Sequence, residues 1–323
     1  MSSVDGAEPT TSPASAPCPR CGSSVFEEER FCEACGASTA PAPRRGPPPA
    51  PLPSERVEGP VEVDLDAVGG VTDRGYRRAR NEDALAGAAG VGWSAAVVCD
   101  GVASTSNAHL ASRVAARTAL AVLEEGGAGA DGDGAALVAR SLVEAQGAVS
   151  AVASDAASGL ELAPSTTAVV VLVTGGILHV AGVGDSRAYW LGASGAARTL
   201  TTDDSMAQDR IAEGTPAEVA YADPDAHIIT RWLGADAEAG EPAVLSVPAT
   251  EPGLVVVCTD GLWNYVEEPE RMLGVAGDWT DLRPVDVARR LVAVALDAGG
   301  QDNVTVAVLP VDGPTPVGPA DLP

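Results

Sequence analysis

Four aspartates stand at the borders of strand-like runs. Ala95 to Cys99 ends in Asp100-Gly101, and Leu254 to Cys258 ends in Thr259-Asp260-Gly261. Leu178 to Val183 leads into Gly184-Asp185-Ser186-Arg187, and Gln301-Asp302-Asn303 opens Val304 to Leu309. The runs are short, apolar and valine-rich, which predicts buried strands. A carboxylate beside a hydrophobic core is costly, and several gathered together repel unless a cation neutralises them. The residues therefore predict a metal site built from strand ends. The competing reading is that these aspartates cap turns, where Asp-Gly is common.

Two further stretches could do chemistry. Between Thr72 and Asp83, four arginines (Arg74, Arg77, Arg78 and Arg80) fall within seven residues and run into Asn81-Glu82-Asp83. A guanidinium fork matches phosphate; the alternative is a solvated loop stitched by weak ion pairs. Near the amino terminus, Cys18-Pro19-Arg20-Cys21-Gly22 and Cys32-Glu33-Ala34-Cys35-Gly36 are two Cys-x-x-Cys pairs ten residues apart. Such pairs are zinc knuckles, with the following Gly free to turn the chain. The two phenylalanines, Phe26 and Phe31, lie between them as a minimal core. One structural Zn²⁺ on Cys18, Cys21, Cys32 and Cys35 is expected, and a disulfide framework is disfavoured in a reducing compartment.

The elements that must position these residues follow from pattern. Residues 1–17 are Ser-, Thr-, Ala- and Pro-rich and read as disordered, and 18–36 read as a zinc ribbon. Residues 37–60 form a Pro-rich spacer, 61–312 the main domain and 313–323 a tail. In the main domain Val61–Val71 reads as one strand, Gly92–Cys99 as another, and Asn107–Glu125 and Ala135–Ala157 as helices. Thr166–Thr174 and Ile177–Val183 are expected to pair across Gly175-Gly176 as a hairpin. Arg187–Leu191, Ala243–Val247, Leu254–Cys258 and Val304–Leu309 are further strands, and Pro284–Ala298 is a helix with Pro at its start. The fold class predicted is α+β, with antiparallel sheets covered by helices.

Composition narrows the function. The 323 residues carry 45 Asp and Glu against 20 Lys and Arg, a formal net charge of −25. That excess argues against nucleic-acid binding, which needs basic contacts to phosphate. Bound divalent cations would offset part of it. No uninterrupted apolar run reaches the ~18 residues of a membrane span, and no apolar signal core opens the chain. A cytoplasmic protein without a membrane partner is expected.

The order of the motifs resembles the metal-dependent serine/threonine protein phosphatases of type 2C. The matching elements are Arg78-Ala79-Arg80-Asn81-Glu82-Asp83, Val98-Cys99-Asp100-Gly101, Gly184-Asp185-Ser186-Arg187, Thr259-Asp260-Gly261 and Asp302-Asn303. The resemblance spans about residues 62–310. It implies an α-β-β-α sandwich of two antiparallel sheets flanked by helices. It also implies that Asp83, Asp100, Asp260, Asp302 and the carbonyl of Gly101 hold two Mn²⁺ or Mg²⁺ ions, with Asp100 between them. Glu82 would orient a water, Asp185 would serve a weaker third metal, and Arg78 would bind phosphate. Arg77 and Arg80 do not align with it and are read as surface charge. The implied reaction is hydrolysis of phosphoserine and phosphothreonine in proteins, opposing a bacterial kinase.

Some positions depart from that pattern. Val102-Ala103-Ser104 follows Gly101 where many relatives carry a Gly-Gly pair or a histidine acid. His109, His179 and His227 match no catalytic position, and Thr201-Thr202-Asp203-Asp204-Ser205 stands where relatives often have Asp-His-Ser. The flap expected at about 204–230 is short and acidic, which suggests basic phosphopeptides. Cys99 and Cys258 read as small buried hydrophobes. Two alternatives follow: an adaptor that captures a protein partner through the zinc ribbon, or a two-metal hydrolase of small phosphoesters.

Overall fold

The computed structural model describes residues 60–313, apart from 106, 128–132, 156–161, 238–239 and 241, together with Ser15–Pro17 and Ser24–Phe26. The chain divides into two units, Met1–Val57 and Glu58–Pro323. In the first, β1 (Ser15–Pro17) pairs antiparallel with β2 (Ser24–Phe26), with Ser15 opposite Phe26. Cys18, Cys21, Cys32 and Cys35 lie outside the described residues, as do the spacer at 37–59 and the tail beyond 313.

The second unit is built from two sheets whose central strands are buried on both faces and whose edge strands Val61–Leu65, Ala197–Thr199 and Val244–Pro248 are largely exposed. Six strands form one antiparallel sheet: β3 (Val61–Leu65), β4 (Val68–Asp73), β10 (Arg187–Gly192), β11 (Ala197–Thr199), β14 (Gly253–Cys258) and β15 (Val304–Val311). Their order is β11-β10-β14-β15-β4-β3. The second sheet holds five: β5 (Ala84–Gly90), β6 (Trp93–Cys99), β8 (Ala168–Thr174), β9 (Ile177–Val183) and β13 (Val244–Pro248), in the order β13-β9-β8-β6-β5. A two-residue strand, β7 (Ser165–Thr166), pairs with β12 (Leu233–Gly234).

Period-two alternation sends each strand's side chains into two different cores. In β14, Leu254, Val256 and Cys258 face one core, and Val255 and Val257 face another. In β6, Ala95, Val97 and Cys99 face a third, while Ala96 and Val98 join Val255 and Val257. The shared core therefore lies between the sheets. Helices cover the outer faces: α1 (Ala108–Gly127) and α2 (Gly134–Asp155) over the five-stranded sheet, and α6 (Pro269–Ala276) and α7 (Pro284–Asp297) over the six-stranded one. The arrangement is the expected α-β-β-α sandwich. Shorter helices are α3 (Met206–Ala212), α4 (Ala217–Tyr221) and α5 (Asp260–Trp263).

Several boundaries differ from expectation, each for a local reason. Val61–Val71 is two antiparallel strands, because the chain turns at Asp66-Ala67 and pairs Leu65 with Val68. Thr166–Thr174 is broken at Thr167, whose amide donates to the Asp100 carbonyl at 2.8 Å instead of continuing the ladder. The segment Ala84–Gly90 carries no β-branched residue, yet it pairs with β6 over its whole length. One helical stretch in α2, Gly134–Val152, is long and apolar enough to cross a bilayer, with mean hydropathy 1.2 over 19 residues. In this fold Val138, Leu142, Ala145 and Val149 of that helix are buried in the core beneath α1.

Candidate metal centre

The acids of the motif meet at one end of the sandwich. Asp100 follows β6, Asp185 follows β9, Asp260 follows β14 as the first residue of α5, and Asp302 precedes β15. Asp83 precedes β5. Antiparallel neighbours β5 and β6 bring Ala84 opposite Cys99, so Asp83 and Asp100 lie side by side in the register. On the other sheet, β14 and β15 bring Cys258 opposite Val306. Glycines make the close approach feasible. A Cβ on Gly101 would lie 2.6 Å from the Glu82 carbonyl oxygen, and one on Gly261 would lie 1.8 Å from that of Asn303. Each glycine after a motif aspartate thus admits the backbone of another site loop.

Asp83 is held most completely. Its Oδ2 accepts from Thr305 Oγ1 at 2.7 Å and from Thr259 Oγ1 at 2.9 Å, both buried. Its Oδ1 has no partner, and neither does Asp260 Oδ1. Buried oxygens without a donor are rare in proteins. Burial pushes the Asp83 carboxyl up to about 7, with Asp260 and Asp302 adding to the shift against the two threonine hydroxyls. Burial also pushes Asp100 well above the usual carboxylate range, reinforced by Asp83, Asp260, Asp185 and Asp302. Asp185 rises to about 7 through burial and then through Asp260 and Asp203. Asp260 rises through burial and Asp302, and lies within hydrogen-bonding reach of Asp100. The five acids feel one another through space, although they are far apart in sequence.

Among the described residues, no three His, Cys, Asp or Glu side chains close on one point as a finished cage. The donor set nonetheless fits a hard cation. It is all oxygen, it is crowded with acidic groups, and two of its buried oxygens have no hydrogen-bond partner. A divalent ion would restore each of these groups to its ionised state.

Arg78 joins this cluster. Its Nη2 donates to Asp302 Oδ2 at 2.5 Å, and Asp302 keeps the guanidinium more firmly protonated. Asn303 ties down the arginine loop. Its Nδ2 donates to the carbonyls of Arg74 (2.9 Å) and Arg80 (3.0 Å), and its Oδ1 accepts from the Glu82 amide (2.8 Å). Burial raises the Glu82 carboxyl, opposed by Arg78 and Arg80. Arg77 is exposed as expected. Arg80 is not plain surface charge, since its Nη1 lies 2.9 Å from ring nitrogens of His109. His179 bonds Ser246 Oγ at 2.8 Å, and His227 packs between Tyr221 and Trp263.

The sequence reading missed the support of Asp185. Arg187 is buried and forms a fork on Asp203, with Nε to Oδ1 at 2.9 Å and Nη2 to Oδ2 at 2.6 Å. Its guanidinium lies 3.9 Å above the Trp263 ring, and Trp263 Nε1 donates to the Asp185 carbonyl at 2.8 Å. Asp203 is the residue at the altered Thr-Thr-Asp-Asp-Ser segment, and its signal was a lone arginine after Gly-Asp-Ser with no local partner. The supporting contacts of Thr72, Thr259, Thr305 and Asn303 were missed as well, although Thr259 and Asn303 stand in the matching motifs, because their partners lie up to 233 residues away.

Comparison with known proteins agrees with this fold. Residues 73–294 match the protein phosphatase 2C family. The serine/threonine protein phosphatase PstP of Mycobacterium tuberculosis is 31% identical over 253 residues, covering 74% of this chain. The match takes in 44% of PstP, so the chain spans under half the length of that relative. A crystal structure of the PstP catalytic domain in complex with 2 manganese ions is 29% identical, with a TM-score of 0.59, covering 76% of this chain and 98% of its own. The PPM Ser-Thr phosphatase MsPP from Mycobacterium smegmatis, in complex with cacodylate, is 30% identical with a TM-score of 0.59; the match covers 78% of this chain and 100% of that one. A family match over most of the chain, the same sandwich and coverage of whole catalytic domains lead to one assignment: this chain belongs to the protein phosphatase 2C family.

Proposed function

We propose that this chain hydrolyses phosphoserine and phosphothreonine in proteins, opposite a serine/threonine kinase that supplies its substrate. The observation that carries the reading is the cluster of buried acids with unpartnered oxygens on Asp83 and Asp260, beside Arg78. In this reading Asp83, Asp100, Asp260, Asp302 and the Gly101 carbonyl hold two Mn²⁺ or Mg²⁺ ions, and Asp185 serves a weaker third. Such cations, when bound, supply a nucleophile at neutral pH and neutralise charge at the attacked phosphoryl group. Arg78 binds the equatorial phosphate oxygens while Asp302 orients its guanidinium. Glu82, anchored through its amide to Asn303, would orient the attacking water. No histidine stands directly after Gly101, so the departing serine or threonine oxygen takes its proton from water or from another group.

We also infer that Cys18, Cys21, Cys32 and Cys35 bind one Zn²⁺ and that the resulting ribbon docks a protein partner. The pairing of β1 with β2, which flank the first cysteine pair in sequence, supports a knuckle there. The catalytic reading predicts Mn²⁺-dependent phosphate release from a phosphothreonine peptide, abolished by EDTA and by Asp260→Asn. Turnover of small phosphoesters without turnover of the peptide, or no turnover with Mn²⁺ present, would refute it.

A further inference from the structure

A closed ring of hydrogen bonds begins and ends on Asp83. The Asp83 amide donates to Asn81 Oδ1 at 3.2 Å, which fixes the orientation of that side-chain amide. Asn81 Nδ2 then donates to Thr72 Oγ1 at 2.8 Å. Thr72 Oγ1 lies 2.6 Å from Thr305 Oγ1, and Thr305 Oγ1 lies 2.7 Å from Asp83 Oδ2. The direction of each proton follows from chemistry. An ionised carboxylate only accepts, so Thr305 gives its single proton to Asp83 and must accept from Thr72. Thr72 gives its proton to Thr305 and must accept from Asn81. A second branch reaches the same oxygen: the Thr305 amide donates to Thr259 Oγ1 at 3.1 Å, and Thr259 donates to Asp83 Oδ2 at 2.9 Å.

All these donors converge on Oδ2, and none reaches Oδ1. Thr72 and Thr305 are cross-strand partners on β4 and β15, and Thr259 directly follows the neighbouring strand β14 at the start of α5, so the donors sit on or beside rigid elements. Chains of this kind polarise along their length, which strengthens the last bond.

We propose that Thr72, Asn81, Thr259 and Thr305 are positioning residues that hold Asp83 as a one-oxygen ligand, with Oδ2 saturated by hydroxyls and Oδ1 left for a divalent cation. The inference rests on the metal-site reading above. Partners behind a ligand typically change metal affinity about 10–100-fold when removed.

The test is calorimetric titration of the full chain with Mn²⁺, beside its thermal unfolding without added metal. Thr305→Val keeps the shape and removes the hydroxyl; Thr305→Ser restores the hydroxyl and removes a methyl. The expected result is affinity weakened about 10–100-fold in Thr305→Val and within about threefold of wild type in Thr305→Ser. Should Thr305→Val fail to fold, Thr72→Val interrupts the relay one hydroxyl earlier, and a smaller loss, reversed by Thr72→Ser, is expected. Equal affinity in wild type and the folded valine variant would overturn the proposal, as would a serine variant as weak as the valine one. A wild-type chain that takes up no Mn²⁺ would instead overturn the metal-site reading, and this inference with it.

Discussion

Arg78 and Asp302 share a bond of 2.5 Å, so the anion-binding group and a proposed cation ligand are held by each other. Arg78 keeps its side chain about two-fifths exposed, which leaves room for a phosphate on its outer edge. Lysine cannot reproduce this arrangement, because an ammonium lacks the planar fork that serves two acceptors at once. Arg78→Lys is therefore expected to lower kcat/KM on a phosphothreonine peptide. Loss of a charged hydrogen bond of roughly 1.5–3 kcal/mol corresponds to about a 10–100-fold drop. Steady-state kinetics checks it, and a lysine variant at wild-type efficiency would remove Arg78 from the phosphate site.

Elements deliver the site by converging, and glycine controls how near they come. Gly261, the second residue of α5, lies beside the Asn303 carbonyl, where a methyl would sit 1.8 Å from oxygen. Backbone on both sides leaves little room to yield, so Gly261→Ala must separate Asp260 from Asp302. The expected outcome is destabilisation of at least about 1–3 kcal/mol, read by denaturant unfolding, together with weaker Mn²⁺ binding. Unchanged values for both would contradict the close approach. These elements were legible to different degrees. Strands buried on both faces read as continuous valine runs, so β6, β8, β9, β14 and β15 stood out, and the aspartates at their ends marked the site. Strand β5 did not stand out, because its alanines and glycines suit a face pressed under α1 and signal no β preference. The Thr72–Thr305 contact and the Arg187–Asp203 pair were illegible for another reason. Each joins ordinary residues that only the fold brings together, and no local spacing announces it.

The whole molecule carries a formal charge of −25, and it gathers five of its acids at one end of the sandwich. For Asp83 and Asp185, burial lifts the folded-state carboxyl from 3.8 to about 7. A raised carboxyl pKa means that the folded chain binds more protons than the unfolded one across that interval. Stability without metal is therefore expected to fall as pH rises from about 4 to about 7. Saturating Mn²⁺ binds the ionised acids and should flatten or reverse that slope. Thermal unfolding from pH 4 to 7, with and without Mn²⁺, checks both signs. Parallel curves would mean that the clustered acids do not control the stability of the fold.

The central claim is that acids remote in sequence meet to hold divalent cations. Anomalous diffraction from crystals grown with Mn²⁺ tests it directly. Two manganese peaks within coordination distance of Asp83, Asp100, Asp260 and Asp302 are predicted. Manganese found only elsewhere on the surface, with these four side chains contacting none, would contradict the account.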